Sequence, residues 1–206
     1  VNIIEKCLRG VQALHDKGIV HGDIKPSNIM LSSDGGIRLI DINSAFALTA
    51  PPKVSAWSPR YSPPEVLSGR TWSPQSDLAS LGYVLIELLS GRPEALGKNA
   101  SSKSTRSTND RSYPELLEAK MRLPERLTEL LPRDARQSKR LVELCQNLIH
   151  PDPSRRFQSA RNALSGNKGA IPFKHELAHA DLCVDWVEAM QDWLCNMKQA
   201  GGQALD

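Results

Sequence analysis

The chain lacks a C-x-x-C pair around any of its four cysteines, Cys7, Cys145, Cys183 and Cys195, which argues against a zinc ribbon or a dithiol redox site. On one helix, Cys183 and Cys195 would lie about 18 Å apart at 1.5 Å per residue, too far for a bridge. The expectation is a reduced, cytoplasmic protein. Long apolar runs are also lacking: none approaches the roughly 20 residues of a membrane span. The opening Val1-Asn2-Ile3-Ile4 has neither a basic signal-peptide head nor an initiator Met, which reads as a piece of something longer. Charge of one sign is scarce too. The 26 basic and 23 acidic residues alternate to a net +3 without a long basic run, and this argues against a nucleic-acid partner. Internal repeats are absent. What is there is a 206-residue chain, 40% hydrophobic, long enough for one domain with a real core plus a tail.

Hydrophobic spacing supplies the elements. Ile4, Leu8, Val11, Ala13 and Leu14 recur at helical intervals over residues 3–16, and Gly18 supplies the stop. Two short apolar runs, 29–31 and 37–40, flank Ser32-Ser33-Asp34-Gly35-Gly36, the chemistry of a hairpin. Residues 43–60 are rich in Pro, Ser and Ala and read as an extended surface loop. Over 74–90, Leu78, Leu81, Val84, Leu85, Leu88 and Leu89 make a wide apolar face that predicts a deeply buried helix. Residues 92–112 are polar and Ser-rich, the composition of an insertion. Further helices are expected at 113–122, 138–149 and 158–164. After Ser165-Gly166-Asn167-Lys168-Gly169, a separate pattern of Leu182, Trp186, Val187, Met190, Trp193, Leu194 and Met197 predicts a terminal helix ended by Gly201-Gly202. That helix either docks on the domain or receives a protein partner. The expected division is therefore 1–164 and 165–206.

The segment His21-Gly22-Asp23-Ile24-Lys25-Pro26-Ser27-Asn28 places a carboxylate, a cation and a carboxamide in one short loop before a strand. Phosphoryl transfer from ATP needs such a set: a carboxylate to orient a hydroxyl and accept its proton, a cation for the moving phosphate, and oxygen ligands for magnesium. Asp41 follows the next strand pair, where a second magnesium ligand would be delivered.

These residues resemble the catalytic loop H-R-D-x-K-P-x-N of eukaryotic-type Ser/Thr protein kinases. Asp41-Ile42-Asn43 sits where that family has D-F-G, and Pro63-Pro64-Glu65 where it has A-P-E. Ser76-Asp77-Leu78-Ala79-Ser80-Leu81-Gly82 is similar to S-D-x-W-S-L-G, and Asp152-Pro153-Ser154-Arg155-Arg156 to D-P-x-x-R. The resemblance implies a mainly α fold, the large C-terminal lobe of a kinase with a small β-ribbon and a C-terminal helical extension. It implies ATP and Mg as cofactors and a protein substrate. Asp23 would then be the catalytic base, Lys25 the cation on the γ-phosphate, and Asn28 and Asp41 the magnesium ligands. Ser58 matches the residue that hydrogen-bonds the catalytic Asp and Lys, with Arg60 and Tyr61 in the same substrate loop. His21 belongs to the catalytic loop, Asp77 would accept that loop's backbone N–H groups, and Glu65 would pair with Arg156.

Three departures stand out. Gly22 replaces the Arg before the catalytic Asp, so a phosphate on Thr49 or Ser55 would find only Lys53 nearby. Pro51, Pro52 and Pro59, with Trp57 and Tyr61 buried at the end, are expected to order the loop instead. Ile42-Asn43 replaces Phe-Gly; Ile42 is expected to fill an apolar slot and Asn43 to tolerate positive φ. The 206 residues also contain no G-x-G-x-x-G loop and no V-A-I-K lysine, the parts of the small lobe that hold ATP; in the nearest look-alike, residues 91–98, the glycines are one residue too far apart and the Ser/Thr is missing. The expected function is phosphotransfer to protein Ser/Thr in the intact parent. The alternative is a pseudokinase or docking scaffold, and the upstream reading frame would discriminate the two.

Overall fold

A computed structural model describes residues 2–32, 36–51, 57–70, 72–97 and 113–178. Helix α1, Asn2–His15, buries Ile4, Cys7, Leu8 and Val11 on one side, the stripe that its spacing dictates. Gly18, at φ +69°, turns the chain out of it, and the Gly18 carbonyl accepts the Leu48 amide at 2.8 Å. Strand β1, Ile19–Val20, leads into the loop of interest, and β2, Ile29–Leu31, pairs antiparallel with β3, Ile37–Leu39, in the expected ribbon. Residues 33–35 at its tip lie outside the described set.

The stretch read as an extended loop carries more structure than composition suggests. Strand β4, Phe46–Ala47, pairs antiparallel with β1, Ile19 opposite Ala47 and Val20 opposite Phe46. Two residues are too few for an alternating pattern to register in sequence. Tight 3-10 turns also form at Ile42–Ser44 and Pro59–Tyr61.

Helices α2, Pro64–Leu67, and α3, Pro74–Ser90, follow. Pro74 opens α3 at a position whose N–H has no helical partner to lose, the Ser76 hydroxyl accepts the Ser73 N–H at 3.1 Å, and Gly91 closes it at φ +62°. Residues 76–87 of α3 are all buried, polar ones included, so this helix is enclosed on every side. Helix α6, Lys139–Ile149, crosses it where Gly82 has no side chain: a Cβ there would sit 2.7 Å from both Leu148 Cβ and Ile149 Cγ2.

Helix α4, Pro114–Leu130, corrects the expected end at residue 122, for it continues through Pro124. Proline removes a bond and crowds the preceding turn. Leu116, Lys120, Leu123 and Leu127 nonetheless form one buried face, and this packing outweighs the local penalty. Helices α5, Arg133–Gln137, α7, Ala160–Ser165, and α8, Ala170–Ala178, complete the described chain. Ala170 and Phe173 of α8 enter the core, and Lys174 Nζ reaches Glu5 Oε2 on α1 at 3.0 Å, so packing runs past residue 165. The expected terminal helix, Cys183, Cys195 and most of the Ser-rich stretch lie outside the described residues. Cys7 and Cys145 are free, buried thiols, each pushed up to about 12 by burial. No helix among the described residues is long and apolar enough to cross a membrane.

Gly82→Ala tests the α3–α6 crossing. Alanine gains about 1 kcal/mol of helix propensity over glycine, whereas forcing a methyl into a closed contact costs about 1–3 kcal/mol. The expected net effect is a loss of about 1 kcal/mol in urea denaturation, against a gain if the contact were loose.

Candidate active site

Everything in the site hangs from a carboxylate inside α3. Asp77 is fully buried; its Oδ2 accepts the His21 N–H at 2.8 Å and its Oδ1 the Gly22 N–H at 3.0 Å. His15 Nε2, from the end of α1, lies 2.9 Å from the same Oδ2, in place to donate to it, and the buried Nδ1 has no partner among the described residues. His21 is itself fully buried, its Nδ1 3.4 Å from the Asp23 N–H and its Nε2 unpartnered. Gly22 sits at φ +76°, and a Cβ there would lie 2.8 Å from the Ser44 carbonyl oxygen. This backbone therefore favours glycine on two counts.

The loop so held presents its chemistry at one point. Lys25 Nζ lies 2.7 Å from Asp23 Oδ2 and donates to Ser58 Oγ at 3.0 Å, while the Ser58 N–H donates to Asp23 Oδ1 at 2.9 Å. Ser58 thus reaches the lysine by its hydroxyl and the aspartate by its backbone. Asn28 is buried and donates its Nδ2 to the Asp23 carbonyl at 2.8 Å, which leaves Oδ1 as the free ligand atom of the amide.

Asp41 is placed at the end of the ribbon, next to Ile40, whose N–H donates to the Asn28 carbonyl at 2.9 Å. Here two expectations are corrected. Among the described residues Ile42 meets no apolar slot and is 64% exposed, because the Ile42–Ser44 turn aims it away from them. The left-handed residue is Asp41 itself, at φ 59°, and not Asn43; the Asn43 Nδ2 donates to Asp41 Oδ1 at 2.8 Å, a local bond that helps an Asx side chain hold this conformation.

The loop that carries Ser58, Arg60 and Tyr61 is anchored from below. The Tyr61 hydroxyl donates to buried Glu87 Oε2 at 2.8 Å, and burial with the Glu87 charge pushes that hydroxyl far up. Lys120, sealed within α4's apolar face, donates to the Arg60 carbonyl at 2.6 Å and stands 3.1 Å from the centroid of the Tyr83 ring. Burial first, and the Arg60 charge second, hold it well below an ordinary lysine, with Glu87 opposing. Trp57 meets Trp72 and Tyr113 edge-on, with centroids 6.5 and 5.7 Å away. Residues 52–56, which include Lys53 and Ser55, lie outside the described set.

Behind this loop, Glu65 and Arg156 form a buried bidentate pair at 2.7 and 2.8 Å. The remaining Arg156 donors reach the carbonyls of His150, Gln75 and Pro151, so the guanidinium is saturated. The Ser76 hydroxyl adds a bond to Glu65 Oε1 at 2.9 Å.

The family model for the protein kinase domain matches residues 1–166. The chain belongs to the protein kinase family. Relatives of this kinase chain include the serine/threonine-protein kinase PAK mbt of Drosophila melanogaster, 31% identical over 155 residues, covering 72% of this chain and 24% of that protein. The serine/threonine-protein kinase STE20 of Eremothecium gossypii is 35% identical over 99 residues, 47% of this chain and 10% of that protein. Among solved structures, the yeast RNA Pol II CTD kinase CTDK-1 complex superposes with a TM-score of 0.61 at 22% identity, covering 80% of this chain and 60% of that one, which shows a shared fold. The chain spans no more than a quarter of the length of these two curated relatives.

Among the described residues no cluster of three His, Cys, Asp or Glu side chains forms a metal cage. The donor set still fits magnesium, because one amide oxygen and one carboxylate, Asn28 and Asp41, are hard ligands that substrate phosphates and water complete. Sequence reasoning missed His15, Glu87 and Lys120. Each sits on a helix at a spacing that reads as ordinary surface or cap polarity, so no signal marked it.

Two measurements follow. Asp77→Ala, which leaves buried loop donors unpaired, is expected to destabilise the chain by about 2–4 kcal/mol in chemical denaturation, and Asp23→Ala by less than about 1 kcal/mol, since Lys25 and Ser58, the partners it frees, are only half-buried. Equal losses would remove Asp77 from its anchoring role. Lys120 binds its proton less tightly in the folded chain than unfolded, so its contribution makes stability rise as pH climbs through the folded value towards the ordinary 10.5. The stability difference between wild type and Lys120→Met, followed from pH 7 to about pH 10, should rise in that direction; a flat difference would place the proton elsewhere.

Proposed function

We propose that this chain is the C-terminal-lobe part of a Ser/Thr protein kinase catalytic domain, and that its parent transfers the γ-phosphate of ATP to a Ser or Thr hydroxyl of a protein substrate. The observation that carries this reading is the closed contact of Asp23, Lys25 and Ser58, a carboxylate and a cation fixed against each other by the substrate loop. Asp23 orients the incoming hydroxyl and takes its proton as the oxygen bonds to phosphorus. Lys25 neutralises charge on the transferred phosphoryl group, and ADP leaves. Asn28 Oδ1 and the Asp41 carboxylate would hold magnesium, which would supply positive charge for the phosphates when bound. Arg60 and Tyr61 belong to the substrate loop, which the Tyr61 hydroxyl anchors to Glu87. His21, Asp77, Glu65 and Arg156 keep the site in shape.

Residues 1–164 form the kinase lobe in this reading, and 165–206 a helical extension whose apolar positions from Leu182 to Met197 suit docking or a protein partner. Two buried thiols among the described residues suit a reducing, cytoplasmic setting.

The test is radiolabelled phosphate transfer to protein by the full-length parent. Wild type should transfer, and Asp23→Asn should be about 10²–10⁴-fold slower. No transfer from wild type would leave the docking-scaffold reading. Activity should also be independent of phosphate on the 43–59 segment, since Gly22 offers no cation and its Cβ position is blocked by the Ser44 carbonyl. Phosphatase treatment, or the double change Thr49→Ala with Ser55→Ala, is expected to leave the rate within tenfold; a larger loss would show that another cation receives the phosphate.

A further inference from the structure

Lys120 has no role in the chemistry above, yet it is among the largest fully buried side chains. Its neighbours on the buried face of α4, Leu116, Leu123 and Leu127, are apolar, and a leucine or methionine would fill this position without bringing an ammonium group out of water. Burying such a group is costly unless it is well partnered. What lysine does here that an apolar residue cannot is donate: its hydrogen-bond acceptor is the Arg60 main-chain carbonyl at 2.6 Å, and the Tyr83 ring faces it at 3.1 Å from the centroid.

Arg60 is the middle residue of the Pro59–Tyr61 turn. That turn closes on Ser58: the Tyr61 N–H donates to the Ser58 carbonyl at 3.1 Å and the Ser62 hydroxyl to the same oxygen at 2.9 Å. Ser58 in turn holds Asp23 through its N–H and Lys25 through its hydroxyl. A continuous set of bonds therefore leads from inside α4 to the reacting groups, through partners other than those of Asp77. The groups that set the field at Lys120 are Glu87 and Tyr83 on α3 and Arg60 with Tyr61 on the turn; the Glu65–Arg156 pair acts on Tyr83.

We propose that Lys120 is a positioning residue for phosphoryl transfer: by holding the Arg60 carbonyl it fixes the Ser58–Ser62 turn, and through Ser58 the relative placement of Asp23 and Lys25. The proposal rests on the kinase reading for its effect on rate, but its effect on the turn is independent of that reading. Lys120→Met, nearly isosteric and without a donor, separates positioning from packing.

In the full-length parent, Lys120→Met is expected to lower kcat at least tenfold while leaving the KM for ATP within twofold, because Asn28 and Asp41 are held elsewhere. Amide hydrogen exchange on the same protein should show the Tyr61 amide and its neighbours in the turn losing protection at least tenfold, with the His21 and Gly22 amides, bonded to Asp77, unchanged. An active parent in which Lys120→Met keeps kcat within twofold overturns the proposal while the kinase reading stands. A parent that transfers no phosphate overturns the kinase reading, and the exchange data then decide: unchanged protection of the turn in Lys120→Met sinks the proposal, and a loss confined to it bears out the positioning. Should Lys120→Met fail to fold, Lys120→Gln, a shorter neutral donor, takes the same measurements, with smaller losses expected and unchanged values again overturning it.

Discussion

The carboxylate of Asp77 inside α3 is the constraint on which the rest of this structure depends. A helix buried on all sides is a poor place for a charge-bearing group, and a carboxylate there is acceptable only when hydrogen-bond donors surround it. Those donors are the His21 and Gly22 amides and the His15 ring. The buried helix α3 and the loop bearing Asp23 thus cannot separate without stranding buried polar groups. Loop geometry becomes a property of the core, which is how a short irregular segment can hold side chains to the tolerance that transfer chemistry needs.

The same device recurs around the site. Glu65 and Arg156 are a buried ion pair whose guanidinium is saturated by carbonyls, and the pair ties the segment after the substrate loop to the turn before α7. Lys120 and Glu87 reach the loop that carries Ser58, Arg60 and Tyr61. An apolar core would be as stable or more so. Buried polar groups have directional requirements that apolar contacts lack, so they select one arrangement of loops among many of similar packing.

Much of this was legible in the chain. The α3 helix shows in its leucine spacing, and the ribbon in two apolar runs around Ser, Asp and Gly. Asp23, Lys25 and Asn28 announce themselves because a D-x-K-P-x-N string in that context has few other uses. The less legible features have physical reasons. Strands β1 and β4 are too short for periodicity and exist because Val20 and Phe46 pack together near Trp57 and Trp72. The α4 helix runs past the expected end at residue 122 because local propensity cannot include the packing of Leu123 and Leu127 around Pro124. Ile42 reads as core because it is apolar, and the direction in which a turn points a side chain is not a property of composition.

By itself the sequence determined which residues are available for chemistry and where along the chain the helices and the ribbon lie, since both follow from side-chain type and from interactions over a few residues. It also determined the kinase family, through motifs in a shared order. Only the tertiary structure decided that the Ser58 backbone, and not its hydroxyl, meets Asp23, that the strained residue is Asp41 and not Asn43, and that Lys120 lies under Arg60. The two long-range contacts join groups 35 and 60 residues apart in the chain, and the left-handed turn at Asp41 is a backbone angle that side-chain type alone does not fix. A buried lysine and an exposed one are the same letter, and the difference between them is the dielectric and the partners that folding alone supplies.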